Sequence, residues 1–217
     1  MITILLNDFL SSGDCKAKTY TCIDAFLEIS YIFTGGKIYG FASDFGCGGW
    51  GLATCLGGRA YKNYYTGQIF LNEKDIKCDE LANHSCFVSE NIFSNKQNMT
   101  AKKAIEWALK QSNLDYSVKE IKEIFKLSDD RFTRKLHVVG IEIWRISMAI
   151  GFALNRKIFC FPWVSRRDIG GIEYYLEYIN ILKDNGAIIL IPSSQESKLR
   201  NFCDNLLLFN EGEILFE

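Results

Sequence analysis

The chain has 217 residues, 48% hydrophobic and 24% charged, a balance that suits one globular domain with a sizeable core. Its 25 basic and 26 acidic residues nearly cancel, so the overall charge excludes a basic footprint for nucleic acid. The first residues show no signal-peptide pattern, and the apolar run 146–154 covers about half a membrane span. We therefore expect a soluble, cytoplasmic chain that reaches a membrane only through a partner.

The eight cysteines do not follow a metal-binding pattern. None belongs to a C-x-x-C pair, and only Cys86 lies close in sequence to a histidine, His84, whereas zinc sites need closely spaced thiolates. We predict no metal site and expect reduced thiols that pack as small hydrophobic side chains. No acid and nucleophile accompany His84 or His137, so both are expected to be surface or structural residues.

The amino-terminal part of the chain carries a strand pattern. Residues 1–41 alternate apolar and polar side chains between turn residues, which predicts two or three strands. Thr34, Gly35 and Gly36 then interrupt the pattern before the apolar run 38–42, which predicts a strand that leads into a glycine-rich loop.

That loop, residues 43–50 (SDFGCGGW), has the outline of a phosphate-binding loop. In the pattern G-x-x-x-x-G-K-[ST], backbone N–H groups hold phosphates, the lysine meets their charge, and the final hydroxyl holds Mg²⁺. Gly46 and Gly48 keep the turn, but Gly49 stands where lysine belongs and Trp50 where Ser or Thr belongs. We favour the interpretation that the loop is a glycine-rich turn retained for packing. The alternative is a nucleotide site that has lost its charge.

Helical spacing dominates the middle of the chain. Residues 52–58 predict a short helix that ends at glycine, and residues 67–72 predict a strand pair. Apolar residues recur with helical period over 95–135, and over 140–153 they lie on every side, which predicts a buried helix. Residues 95–155 are thus expected to form a helical subdomain.

The last third of the chain predicts a parallel sheet. The apolar runs 158–161 and 187–191 flank a predicted helix over 172–182, which together make a βαβ unit. Residues 206–209 and 214–216, separated by Asn-Glu-Gly, predict a closing hairpin.

In this order the segments resemble the ATP-binding domain of ABC transporters across nearly the whole chain. Tyr20 falls where that family carries an aromatic that stacks on adenine, and residues 67–76 are similar to its G-x-I-x-x-x-G-x-x-I hairpin. Residues 86–90 look like the strand that ends in the Q-loop, with Glu90 in place of glutamine, and residues 99–109 match the first helix of the helical subdomain.

The second half fits the same family without a gap. When Arg145 is set on the arginine that follows the L-S-G-G-Q signature, residues 138–142 fall on that signature. The run 158–161 then falls on the Walker B strand, with Pro162 and Trp163 on its Asp and Glu.

The resemblance implies an α/β fold of the P-loop NTPase-like ABC ATPase type, formed by residues 1–217 as one domain. An N-terminal antiparallel β subdomain, a mostly parallel central sheet and the helical subdomain, roughly residues 95–155, are expected within it.

The resemblance also implies that the family's chemistry is absent. Pro162 cannot coordinate the water shell of a metal, and Trp163 cannot polarise an attacking water. Val139 replaces the signature serine, and Ser194 stands at the switch histidine. Phosphoryl transfer depends on positioning and charge neutralisation, so we predict no catalytic residue and a subunit that does not hydrolyse ATP.

No cofactor is predicted, with ATP and Mg²⁺ kept as the alternative. The residues that a remaining nucleotide site would use are Tyr20, Gly46, Cys47, Gly48, Gly49, Trp50 and Gly51. Tyr20 fits an ordinary strand or loop aromatic as well. Trp50, Trp144 and Trp163 would fill the emptied cleft or an interface, or simply the core.

The expected partners follow from the resemblance. They are a membrane permease, docked along residues 90–93, and a second ATPase domain in a homo- or heterodimer, contacted near residues 166–168. One alternative is a scaffold that reuses the dimer face without a transporter. Another is an ATPase that works through unusual residues such as Glu90 or Asp168.

Overall fold

The computed structural model describes residues 1–16, 21–25, 28–44, 46–59, 64–88, 96, 98–165, 169–210 and 213–216, without the side chains of 11–16, 21–25, 64, 141, 210 and 213. Its strands are β1 Thr3–Lys16, β2 Thr21–Ala25, β3 Ile29–Thr34, β4 Lys37–Ser43, β5 Tyr64–Leu71, β6 Lys74–Ile76, β7 Ser85–Phe87, β8 Ile158–Cys160, β9 Ile188–Ser193, β10 Asn205–Asn210 and β11 Glu213–Phe216. Its α-helices are α1 Gly49–Leu56, α2 Ala101–Ser112, α3 Val118–Ile124, α4 Asp129–Phe132, α5 Ile143–Ala153, α6 Ile169–Ile172, α7 Leu176–Asp184 and α8 Glu196–Leu199.

One sheet is antiparallel and is built around β1, which pairs with β2, β3 and β5, while β6 extends it beyond β5. The register between β1 and β5 shifts after Asn7, where Asp8 has a positive φ of 48°. Gly67 lies opposite with φ 81°, and a Cβ there would collide with the Asp8 carbonyl oxygen. Only glycine therefore fits this bulge.

The second sheet has the strand order β11-β10-β4-β9-β8-β7 and is parallel except for the β10–β11 hairpin. All six residues of β9 are buried, which explains why its sequence is continuously apolar rather than alternating. The predicted strands 158–161 and 187–191 are adjacent and parallel, as β8 and β9, so the predicted βαβ unit is confirmed.

The strand β9 also shows how the layers are arranged. Ile189 and Ile191 face a core shared with α5 and α7, whereas Ile188 and Leu190 face a core shared with α1 and the antiparallel sheet. The parallel sheet is thus the middle layer, and α1 lies between it and the antiparallel sheet.

Helices α2 to α5 form the predicted helical subdomain. Thr100, Ser117 and Ser128 cap α2, α3 and α4 with hydrogen bonds to backbone N–H groups, and Ser117 forms a full capping box with Glu120. The helix α5 is buried on nearly all sides and packs against α2, as the apolar residues on every side of its helical pattern predict. Among the helices in the described ranges, none combines the length and apolarity needed to cross a bilayer.

Candidate functional site

The phosphate-loop-like segment leaves the carboxyl end of β4, in the middle of the parallel sheet, where ligands bind in open α/β folds. Gly46 has φ 94° and Gly48 has φ 104°, so both glycines supply backbone conformations that other residues rarely adopt. Gly48 is the N-cap of α1, and its carbonyl accepts a hydrogen bond from the Leu52 N–H at 3.0 Å. The turn predicted from Gly46 and Gly48 is therefore present.

Gly49, at the lysine position of the phosphate-loop pattern, is packed against β4. A Cβ on this residue would lie 2.6 Å from the Ser43 Oγ atom and 3.4 Å from the Phe41 Cβ atom. Ser43 is 5% exposed, and its hydroxyl has no hydrogen-bond partner among the described residues. The space where a side chain at position 49 would begin is thus taken by the strand that leads into the loop.

Trp50, at the hydroxyl position of the pattern, is 6% exposed. The indole is therefore packed within the protein, and no hydroxyl is available there for a metal ion. Cys47 is half-buried and Gly51 lies in the first turn of α1. The structure places these candidate loop residues at the start of α1.

The two residues that the resemblance sets on the Walker B carboxylates follow β8, which is separated from β4 by β9. Pro162 and Trp163 follow β8 and are half-buried. The backbone here is fixed to β9, because the Phe161 N–H donates to the Leu190 carbonyl at 2.9 Å and the Ser193 Oγ donates to the Val164 carbonyl at 2.7 Å.

Ser194, at the switch position, is exposed at the end of β9. The side-chain amide nitrogen of Gln195, Nε2, donates a hydrogen bond to the Ser194 hydroxyl at 3.4 Å. An uncharged hydroxyl replaces the imidazole that the family pattern has at this position.

The segment 138–142, at the signature position, forms short 3₁₀ turns at Leu136–Val138 and Gly140–Glu142. Val139, where the signature serine would be, is fully buried, whereas Val138 is 48% exposed. The side chain at the serine position therefore belongs to the core of the helical subdomain.

Arg145, which anchors the alignment with the signature, makes internal contacts. Its Nη2 lies 2.8 Å from a Glu142 carboxylate oxygen, and its Nη1 donates to the Tyr178 hydroxyl at 3.2 Å. The Ser128 hydroxyl also donates to Glu142, at 3.3 Å. The ion pair is largely buried and holds the start of α5 in place.

Trp144 contributes to an aromatic cluster at the edge of the helical subdomain. Its ring meets Phe161 edge-on, with centroids 5.6 Å apart, and Tyr175 at 5.5 Å. Trp144 is half-buried against the core of the helical subdomain, whereas Trp50 is buried.

Several predicted site residues lie outside the described residues. They are Tyr20, the proposed docking edge 90–93, and residues 166–168.

Within the described ranges, no group of three or more His, Cys, Asp or Glu side chains is arranged to hold a metal ion. His84 and His137 are both exposed.

Two of the cysteines depart from the expectation that all thiols are reduced. Cys86 and Cys160 are buried, and burial raises the pKa of Cys86 to about 12 and that of Cys160 well above its usual range, so both stay protonated. Cys55 and Cys78, however, form a disulfide, which the sequence did not indicate. Their 23-residue separation carries no recognisable spacing, and only the fold brings them together.

Comparisons with known proteins agree with this geometry. No protein-family model matches the chain. It is 25% identical over 199 residues to the methionine import ATP-binding protein MetN of Clostridium acetobutylicum, and 26% identical over 218 residues to the xylose import ATP-binding protein XylG of Histophilus somni. These alignments cover 86% and 90% of this chain but only 62% and 42% of the relatives.

Solved structures extend the likeness to the whole chain. An ATP-binding subunit of an ABC transporter superposes on 99% of this chain with a TM-score of 0.68 and 15% identity, covering 89% of that subunit. The protein cbiO1 of Clostridium perfringens, part of the ABC transporter complex cbiONQ, superposes on 98% with a TM-score of 0.66 and 13% identity, covering 86% of cbiO1. The chain has the fold of an ABC transporter ATP-binding domain.

The candidate site has a glycine turn at the start of α1, and the resemblance sets uncharged residues at the family's charged positions. The glycine turn lies between β4 and α1, and Pro162 and Ser194 follow the ends of β8 and β9. The side chains at those places are glycine, tryptophan, proline and serine rather than charged groups.

Proposed function

We propose that this chain is an ATP-binding-domain-like subunit of an ABC transporter that does not hydrolyse ATP by the family mechanism. The packing of Gly49 against Ser43 carries the proposal. A lysine at position 49 would have to displace the Ser43 hydroxyl, which lies 2.6 Å from the place of its Cβ atom. The β- and γ-phosphates of a nucleotide would therefore lack the cation that usually meets them at this position.

ATP with Mg²⁺ does not fit the residues that are present. Trp50 offers a buried indole where the metal needs a hydroxyl ligand, and Pro162 and Trp163 offer no carboxylate. The loop still has a glycine turn at a helix N-terminus, but without the lysine and the metal ligands it lacks the main partners of a triphosphate.

The energetic consequence is large. Removing one group that stabilises developing charge in a transition state typically lowers the rate by about 10²–10³-fold. The positions of the lysine, the metal hydroxyl, the two carboxylates, the signature serine and the switch histidine all differ here. We therefore expect no turnover above the uncatalysed rate.

Phosphate release from the purified chain with Mg²⁺ and ATP tests the catalytic part of this proposal. We expect a rate equal to the blank, and no heat of binding when ATP is titrated with and without Mg²⁺. The Glu90→Ala and Asp168→Ala variants are the matched controls, because they keep the loop and remove the remaining carboxylate candidates. Turnover in the wild type that either variant abolishes would overturn the proposal.

The transporter context rests on resemblance and needs a separate test. The relatives named above are import ATP-binding proteins or parts of ABC transporter complexes, so the partner we propose is an integral membrane permease. A tagged chain, purified from detergent-solubilised membranes of its source, is expected to retain a multi-span membrane protein identified by mass spectrometry. Recovery of soluble partners alone would favour the scaffold function instead.

A further inference from the structure

We propose that Cys55 and Cys78 form a redox-responsive tether that fixes the helix after the phosphate-loop-like segment to the antiparallel half of the molecule. Cys55 is the second-last residue of α1, and Cys78 follows β6 by two residues. The two Cα atoms are 6.0 Å apart, within the range that disulfides span. The tether therefore joins the helix that begins at Gly49 to the sheet that covers it.

The chemistry needs one oxidant. The two thiols lose two electrons and two protons to a small-molecule disulfide such as oxidised glutathione, one S–S bond forms in the protein, and the oxidant leaves as two thiols. Reduction by thiols of the same class runs the exchange in the opposite direction.

Burial controls how fast the tether responds. Cys55 is 2% exposed and Cys78 1% exposed, in a core that also contains Leu52, Leu56 and Leu81. A reductant reaches the sulfur atoms only when α1 opens, so the need for local opening slows the exchange. The redox state that is set when the chain folds is therefore retained while α1 stays folded.

The fold does not depend on this bond alone. The Ser85 hydroxyl donates to the Leu56 carbonyl at 3.1 Å and to the Leu81 carbonyl, so the end of α1 is joined to β7 and to the 3₁₀ turn Glu80–Asn83 without the disulfide. Reduction should leave α1 packed but without its covalent restraint. The bond thus acts as an adjustable restraint on α1 and on the loop that precedes it.

Peptide mapping tests whether the bond forms. Trypsin is expected to yield peptides 38–59 and 78–96, which carry Cys55 and Cys78. In a background of Cys47→Ser and Cys86→Ser, each peptide holds a single cysteine, so a cross-linked species has only one assignment. We expect this species after folding with oxidised glutathione, and its loss after reduction in denaturant. Its absence under oxidising conditions would overturn the proposal.

Amide hydrogen exchange tests the mechanical role. We expect amides of α1, residues 49–56, to exchange on the order of tenfold or more faster in the reduced chain, while those of α5, residues 143–153, stay unchanged. Cys55→Ala with Cys78→Ala should reproduce the reduced pattern, and Cys203→Ala, which removes a free thiol, should not. Should the double variant not fold, the wild-type chain kept reduced in excess thiol gives the comparison by itself. Equal exchange in both redox states would refute the tether.

Discussion

At position 49 the chain has no side chain, and the Ser43 hydroxyl lies where a Cβ atom would be placed. Ser43 is buried and its hydroxyl finds no hydrogen-bond partner in the described residues, so this polar group is retained at a cost. The effects of substitutions at these two positions should therefore be coupled, because the Ser43 hydroxyl occupies the space that a side chain at position 49 would need.

This coupling gives the first prediction. Gly49→Ala should destabilise the chain by about 1 kcal/mol, because the clash with Ser43 outweighs the better helix propensity of alanine. Ser43→Ala alone should be neutral or stabilising, and in that background Gly49→Ala should no longer destabilise. Urea unfolding of the four chains measures the cycle. Additive effects would show that the two residues do not pack as described.

The hairpin between β5 and β6 contains two residues with positive φ. Asn72 has φ 49° and Glu73 has φ 69°, the two positive values of a type I′ turn. Asn72 is tied to β1, since its Oδ1 accepts from the Thr3 N–H at 2.9 Å. Glu73 is exposed, and no side-chain hydrogen bond in the described residues compensates its conformation.

Glu73→Gly should therefore stabilise the chain, by about 0.5–1 kcal/mol, because glycine adopts positive φ without steric cost. Glu73→Ala is the matched control, since it removes the carboxylate but keeps the Cβ atom, and it should bring no gain. The midpoint of urea unfolding reports both. A gain with alanine as large as with glycine would assign the effect to charge instead.

At the scale of elements, the sequence predicted those segments whose pattern is local. The runs 158–161 and 187–191 are apolar throughout and form buried parallel strands. The segment 140–153, with apolar residues on every side of a helical pattern, contains α5, which begins at Ile143. The start of α1 was predicted three residues late, at 52 rather than 49, because Gly48, Gly49 and Gly51 indicate a loop. Burial between two sheets overrides that weak helix propensity.

The sequence predicts the candidate site only where its structure depends on backbone conformation. The glycine turn at Gly46 and Gly48 follows from sequence, since few residues adopt positive φ. The packing of Ser43 on Gly49 depends on how the loop folds back onto β4, and the pairing of Cys55 with Cys78 depends on two segments that only the fold brings together. No local pattern encodes such contacts.

The helix α5 gives a prediction at this scale, because it approaches the parallel sheet through a glycine. A Cβ on Gly151 would lie 2.7 Å from both Cys86 Sγ and Phe159 Cε1. Gly151→Ala should thus cost about 1–3 kcal/mol through overpacking. Gly171→Ala in α6 is the control, because nothing lies within 4 Å of its Cβ position, and it should be neutral. Thermal unfolding of both variants measures the difference, and equal costs would contradict the close approach of α5.

At the scale of the whole molecule, the middle sheet separates two cores. One core joins α1 to the antiparallel sheet, and the other holds α5, α7 and the helical subdomain. The helix α1, which follows the phosphate-loop-like segment, packs in the first core, and Val139 of the segment 138–142 packs in the second. The family resemblance implies that these two surfaces of paired domains enclose a nucleotide between them, so the pairing that we propose for this chain depends on the residues at both.

This arrangement predicts that ATP does not drive assembly of the chain with itself. The loop at Gly49 and Trp50 offers no side-chain cation or metal ligand, and Val139 is buried in the core where the signature serine would contact a γ-phosphate. A nucleotide held between two copies would therefore gain few contacts from either copy. Since a ligand favours a dimer only if it binds the dimer more tightly than the monomer, ATP should not shift this equilibrium. Sedimentation velocity with Mg²⁺ and ATP should match that with Mg²⁺ alone. A shift towards the mass of two chains that requires ATP, and that ADP does not produce, would mean that the loop still holds a triphosphate despite its missing charges.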